Sequence, residues 1–278
     1  MLEINKDIIY CELMKRIESI FLLKETYAVK IRDIVIEKTQ NIEQKQSLAK
    51  QAVDICYHDV LSDIDLAVIV KIPPEDCITT TRYMNRIDRY GITKDNYLGL
   101  TFVSESNMYR IILQNGMRYD FGFQFIYEEQ AEKIDLTETE GTRNNYDNER
   151  WPLKNIDRFW FMQVHALAKL YRNDFLIGDH LANTSINETL VQQMVLRDIK
   201  YGTKFHRYGY QEVLDYLQVD GIKCPYRGAN QTFNMIAEKI YSTAIVYDQL
   251  SFEFYPQHKE RKDMLFTIWD CYKATLCV

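Results

Sequence analysis

Asn115-Gly116 separates two runs of strand-forming residues, 108–113 and 117–126. An Asn-Gly step between such runs favours a tight antiparallel hairpin, because both residues tolerate positive φ. In the second run Tyr119, Phe121, Phe123 and Phe125 share one face. Arg118, Asp120, Gly122 and Gln124 share the other, since side chains alternate along a strand. A further strand is expected at Leu66-Ala67-Val68-Ile69-Val70, an apolar run stopped by Pro73-Pro74. The chain is therefore expected to contain a sheet, with its strand signals gathered in residues 53–126.

The flanking regions read differently. Residues 1–52 are mostly helical in pattern, with Ile9, Leu13, Ile17 and Ile20 forming one apolar stripe. Residues 127–149 read as an exposed loop or linker: Glu128, Glu129, Glu132, Asp135, Glu138, Glu140, Asp147 and Glu149 stand against Lys133 and Arg143. From Trp151 the pattern is helical. Asp157 is a candidate cap for a helix over about residues 158–173, with Phe161, Val164, Leu167, Ala168 and Tyr171 on its apolar face. Helices are also expected at 188–201 (capped by Asn187 or Ser185), 233–250 and 256–275. Strands followed by a run of helices predict an α+β fold: a sheet domain over 1–149 and a helical bundle over 150–278.

Composition narrows the function classes. An apolar fraction of 46% supports a packed core. No apolar run approaches the roughly 18 residues that span a bilayer. The charged start, MLEINKDIIYCELMKRIES, does not read as a signal peptide. Six cysteines occur without a CxxC pair or zinc-like spacing, so free thiols and a cytoplasmic setting are expected. A net charge of −6 argues against nucleic acid as the main partner. Neither a dinucleotide-binding glycine fingerprint nor a Walker A loop is present.

The stretch that carries chemistry is Ser62-Asp63-Ile64-Asp65 at the head of the apolar strand. Alternation puts Asp63 and Asp65 on one face and Ile64, Leu66 and Val68 in the core. Two carboxylates on a rigid sheet repel unless a cation lies between them, and hard oxygen ligands suit Mg²⁺. Asp120, on the polar face of the hairpin, supplies a third acid if the strands are neighbours. Three such carboxylates can hold two Mg²⁺ for in-line phosphoryl or nucleotidyl transfer. An Asp-x-Asp pair by itself is more often a solvated loop or a helix cap; the apolar strand, the preceding Ser62 and the third acid set this one apart.

With Ser62, Asp63 and Asp65 opening an apolar strand and Asp120 on a later one, the sequence resembles the nucleotidyltransferase superfamily. Phe159-Trp160-Phe161, Lys169-Leu170-Tyr171-Arg172 and the helices after them resemble the C-terminal domain of aminoglycoside nucleotidyltransferases, nearest to the streptomycin 6-adenylyltransferase type. The resemblance implies a nucleotidyltransferase-like mixed sheet with flanking helices and a helical domain that clamps substrate or nucleotide. It implies Mg²⁺ on Asp63 and Asp65, with Asp120 either completing the metal site or taking a proton from the acceptor. It implies ATP or another nucleoside triphosphate as co-substrate, and transfer of AMP to a hydroxyl of a small, possibly cationic acceptor such as an aminoglycoside antibiotic. Lys169, sharing a helix face with Arg172, would meet the triphosphate. One departure is plain: the Gly-Ser step that grips phosphates in this family, about a dozen residues before the first aspartate, is missing, and Gln51-Ala52 stands there, so contact with the nucleotide would fall to Ser62, to Ser47 or to backbone amides. The alternative is a catalytically idle relative that keeps the fold as a binding or interaction module.

His58, four before Ser62, is a candidate phosphate contact. His165 reads as a core histidine. His206, with Lys204, Arg207 and Tyr208, reads as a surface turn. The aromatic stripes of the second half read as core, or as the wall of a stacking pocket. The acidic 128–149 segment could draw a polycationic ligand, although a solvated loop is the simpler reading.

Overall fold

Along the third strand of the protein, Ile64, Leu66, Val68, Val70 and Ile72 are at most 3% exposed, as strict alternation demands. Ile69, on the opposite face, is also buried at 6%, so the middle of this strand is covered on both sides. The computed structural model describes residues 5–75, 87–93, 95–103, 108–133, 156–202 and 232–276. The chain divides into two compact units, Met1–Asp147 and Asn148–Val278.

The first unit begins with α1 (Lys6–Phe21). Asn5 caps it by accepting a bond from the Ile8 N–H at 2.9 Å. Its stripe of Ile9, Leu13, Ile17 and Ile20 is at most 1% exposed. Strands β1 (Thr26–Ile31) and β2 (Ile34–Glu37) follow as a hairpin, then α2 (Ile42–Cys56), β3 (Asp63–Ile72), a short 3₁₀ turn (Ile87–Tyr90), β4 (Tyr97–Val103), β5 (Met108–Leu113) and β6 (Arg118–Tyr127). The β1–β2 hairpin corrects the helical reading of residues 1–52. Its loop is Arg32-Asp33, with Arg32 at a φ of 50°, so no Asn-Gly or glycine announced the turn.

These strands form one six-stranded mixed sheet in the order β2-β1-β3-β6-β5-β4. Only β3 and β6 run parallel, and they lie side by side near its centre. The β5–β6 hairpin closes at Asn115-Gly116: Gly116 takes a φ of 86° and the Leu113 N–H donates to the Met117 carbonyl at 2.8 Å. Tyr119 and Phe121 of the aromatic face are at most 2% exposed, and Tyr90, Phe121 and Phe123 pack ring against ring at 5.1 to 5.7 Å.

The second unit is helical among the described residues: α3 (Ile156–Tyr171), α4 (Phe175–Tyr201), α5 (Phe233–Phe254) and α6 (Lys262–Leu276). Fully buried Phe159, Trp160, Tyr247 and Tyr272 fill its core, with Phe159 stacked on Tyr247 at 3.4 Å. Three sequence expectations shift here. Helix α4 starts at Phe175, capped by Asp174, rather than at 188; Ser185 lies inside it and bonds the Leu181 carbonyl at 3.1 Å. Gly178, in the first turn, lies directly against α3: a Cβ there would meet the Leu170 nitrogen and the Ala166 carbonyl at 3.4 and 3.5 Å, ordinary contact distances. Asp157 sits in the first turn of α3, where its carboxylate pairs with Arg261 at 2.7 Å. Finally, α6 begins at Lys262 and not at 256. Of the expected features, the acids at 135, 138, 140, 147 and 149 and the cluster at Lys204, His206, Arg207 and Tyr208 lie outside the described residues. Among the described residues, no helix is long and apolar enough to cross a membrane, and Cys11, Cys56 and Cys271 are free thiols.

Candidate active site

The turn before β3 sets the position of the first acid. The Ser62 hydroxyl accepts from the backbone N–H groups of His58 and Asp59 at 3.1 Å each and donates to Asp59 Oδ1 at 3.2 Å. Asp59 Oδ1 also accepts from the Leu61 N–H at 2.8 Å. This is an Asx- and Ser-closed turn. Ser62, expected to contact nucleotide, thus has its hydroxyl engaged in local structure, while His58 is exposed beside it.

Strand register then brings the acids together. In the parallel β3–β6 pair, Asp63 stands opposite Arg118 and Asp65 opposite Asp120. Adjacent strands lie about 4.8 Å apart and directly opposed residues share a face. The three aspartates therefore occupy one face at the N-terminal ends of β3 and β6. The antiparallel β5–β6 pair sets Arg110 opposite Asp120, and Arg110 Nε lies 3.3 Å from Asp120 Oδ2. On the other side, Ile31 of β1 pairs with Leu66, so Arg32, one residue further, falls beside Asp65. The result is a row in which Asp65, Asp120 and Arg110 stand on three neighbouring strands and Arg32, from the turn after β1, approaches Asp65 closely enough to pull its carboxyl down. A second ion pair sits behind it, where buried Arg118 donates to the Leu61 carbonyl at 2.9 Å and lies 3.5 Å from Asp63 Oδ2.

The electrostatics follow from this crowding. Burial is the main cause that pushes the Asp120 carboxyl up to about 6; Asp63 and Asp65 push it the same way, against the pull of Arg110 and Arg118. Asp65 is also raised, first by partial desolvation and then by Asp63, with Arg32 and Arg110 opposing. The Cys56 thiol, at the end of α2, is raised chiefly by burial, with smaller contributions from Asp65 and Asp63. It is therefore not an activated nucleophile.

For a divalent metal the donor chemistry fits and the present side-chain positions fit less well. Carboxylate oxygens on one rigid face suit Mg²⁺. Yet among the described residues no three His, Cys, Asp or Glu side chains are gathered closely enough to hold an ion. Asp120 is turned to Arg110, and Asp63 to Arg118. Metal binding would require Asp120 to exchange its guanidinium partner for the ion.

The cations expected to meet a triphosphate lie in the second unit. Lys169 pairs with Asp174 at 3.5 Å, next to the turn into α4, and Arg172 is exposed just beyond it. His165 is half-buried against Phe161, at 5.7 Å between rings. The sequence reading assigned no role to Arg32, Arg110 or Arg118. Arg110 could have been found, because closing the hairpin at Asn115-Gly116 fixes which residue faces Asp120. No matching signal marks Arg32, since charges interrupt its hairpin and no glycine stands at the turn. Compared with known proteins, the chain matches no family model and no curated protein.

Proposed function

We propose that this protein is a Mg²⁺-dependent nucleotidyltransferase that moves a nucleoside monophosphate, AMP from ATP, to a hydroxyl of a small cationic acceptor of the aminoglycoside kind. The observation that carries this reading is the placement of Asp65 opposite Asp120 on adjacent parallel strands, with Asp63 on the same face. Like charges side by side at the ends of two central strands are costly in an idle protein and useful in one that recruits cations. Mg²⁺, held by Asp63 and Asp65, would neutralise charge on the reacting phosphate and the departing pyrophosphate. Asp120, with its carboxyl raised to about 6, is a base able to take a proton from an acceptor hydroxyl near neutral pH. The nucleotidyltransferase-like arrangement of the sheet belongs to the same proposal, as does the role of Lys169 and Arg172 toward the triphosphate.

A second reading has its own support. The guanidinium partners of Asp63 and Asp120, together with the missing Gly-Ser step, favour an idle relative that binds without catalysis. Thermal-shift titration with ATP, GTP, CTP and UTP, each with and without Mg²⁺, separates the two. Pyrophosphate release is then measured against aminoglycosides. The enzyme reading expects metal-dependent stabilisation by a triphosphate, lost in Asp63→Asn, and pyrophosphate release with at least one acceptor. Stabilisation by no nucleotide sinks it.

A further inference from the structure

Triphosphate is strongly anionic, and among the described residues neither a glycine-built loop nor a helix N-terminus stands beside the three acids. No glycine precedes Gly91 in the chain, so no glycine-built phosphate loop can form ahead of β3. The nearest helix end is no substitute. Cys56, the last residue of α2, is the one that feels Asp63 and Asp65, so α2 turns its C-terminal, partly negative end toward them. Its N-terminus lies about 22 Å away at 1.5 Å per residue over 15 residues. Anion recognition at this site therefore falls to side chains.

The transverse row supplies them in order, plus, minus, minus, plus: Arg32, Asp65, Asp120, Arg110. The guanidiniums stand on both flanks of the acidic pair. The Arg110 side chain is 40% exposed, against 13% for Asp120, while its Nε is buried toward the acid. Arg32 is exposed at the tip of its hairpin, and no hydrogen bond or ion pair engages its guanidinium among the described residues. It also holds a φ of 50°, which a glycine or asparagine would adopt with less strain.

Building on the nucleotidyltransferase reading, we propose that Arg32 and Arg110 form the phosphate clamp of this site, gripping the triphosphate on either side of the cation held by the aspartates. Arginine suits the task because its planar fork pairs two phosphate oxygens at once. Arg110 then has two partners in turn. It neutralises Asp120 until the metal is bound and passes to phosphate when Asp120 turns to the metal.

The test uses the full chain and three probes: Mn²⁺ alone followed by electron spin resonance, and inorganic tripolyphosphate or ATP with Mg²⁺ followed by calorimetry. Variants are Arg32→Gly, which also removes the positive-φ strain, and Arg110→Gln. Each should weaken tripolyphosphate and ATP in equal proportion, by about tenfold or more for a lost charged hydrogen bond. Mn²⁺ binding should hold or tighten, because a positive neighbour of the acids has gone. Unchanged affinity for both phosphates overturns the clamp and leaves the enzyme reading standing. Weakening of Mn²⁺ together with the phosphates overturns it too, since that marks a structural role. A wild-type protein that binds neither Mn²⁺ nor phosphate overturns the nucleotidyltransferase reading, and the clamp with it.

Discussion

The sheet unit and the helical unit each gather charged side chains in a cluster, and they do so in opposite ways. In the helical unit, buried Asp248 uses both of its oxygens. His258 Nε2 lies 2.6 Å from Oδ1, and Oδ2 accepts the N–H groups of Arg261 and Lys262 at 3.0 and 3.1 Å, capping α6. Arg261 in turn pairs with Asp157. In the sheet unit, Asp65 and Asp120 stand side by side, and both carboxyls are driven upward. A charge with every partner supplied stabilises a fold; like charges left adjacent weaken it and are kept for what they can bind.

The largest effect expected is on the first of these. Asp248→Ala would leave His258 and two helix N–H groups buried without an acceptor, at a cost of about 3–5 kcal/mol. Asp65→Asn should cost nothing in stability, because it removes a repelling charge, while ending metal-dependent nucleotide binding. Urea unfolding measures both. If Asp65→Asn proves as damaging as Asp248→Ala, Asp65 is a structural residue and the contrast between the units disappears.

Acidity gives a second, smaller handle. The folded Asp120 carboxyl lies near 6, above its ordinary 3.8. Between those values the native state binds more proton than the unfolded chain, so this group's contribution to stability declines as pH rises from about 4 to 6. The size is on the order of 1 kcal/mol once screening at a partly open site is allowed for. Asp120→Asn should flatten that decline in a pH series of unfolding midpoints. Mn²⁺ affinity of the wild type should run the other way, rising through pH 6 as the carboxylate forms. A Mn²⁺ affinity that is level across this window would mean that Asp120 takes no part in binding.

The same contrast explains what could be read from sequence. The three aspartates were legible because alternation along a strand is a local rule, and Asn115-Gly116 together with the 66–70 run located β3, β5 and β6. The α1 stripe was equally legible from its spacing. What escaped was decided by contacts between elements. In 26–37, strand residues alternate with Lys30, Arg32, Asp33 and Glu37, and the turn carries no glycine, so charge masked the hairpin. The first turns of α4 contain Gly178, Asp179 and Asn183, poor helix formers by themselves, and only packing on α3 fixes them. The late start of α6 depends on a cap supplied by Asp248, 13 residues before Arg261. The arginine flanks depend on register across strands, which no single run displays.

Arg32 gives the smallest expected change and the one that most sharpens the comparison. Its φ of 50° places a side chain in the left-handed region, which costs on the order of 1 kcal/mol for a residue other than glycine. Arg32→Gly relieves that strain but adds freedom to the unfolded chain, worth a similar amount in the opposite direction. Loss of an exposed attraction to Asp65 takes away little more, because water screens it. The net change should lie close to zero, within about 0.5 kcal/mol either way, read as little or no shift of Tm. A fall of several degrees would instead place Arg32 with Asp248, among the charges that hold the fold together.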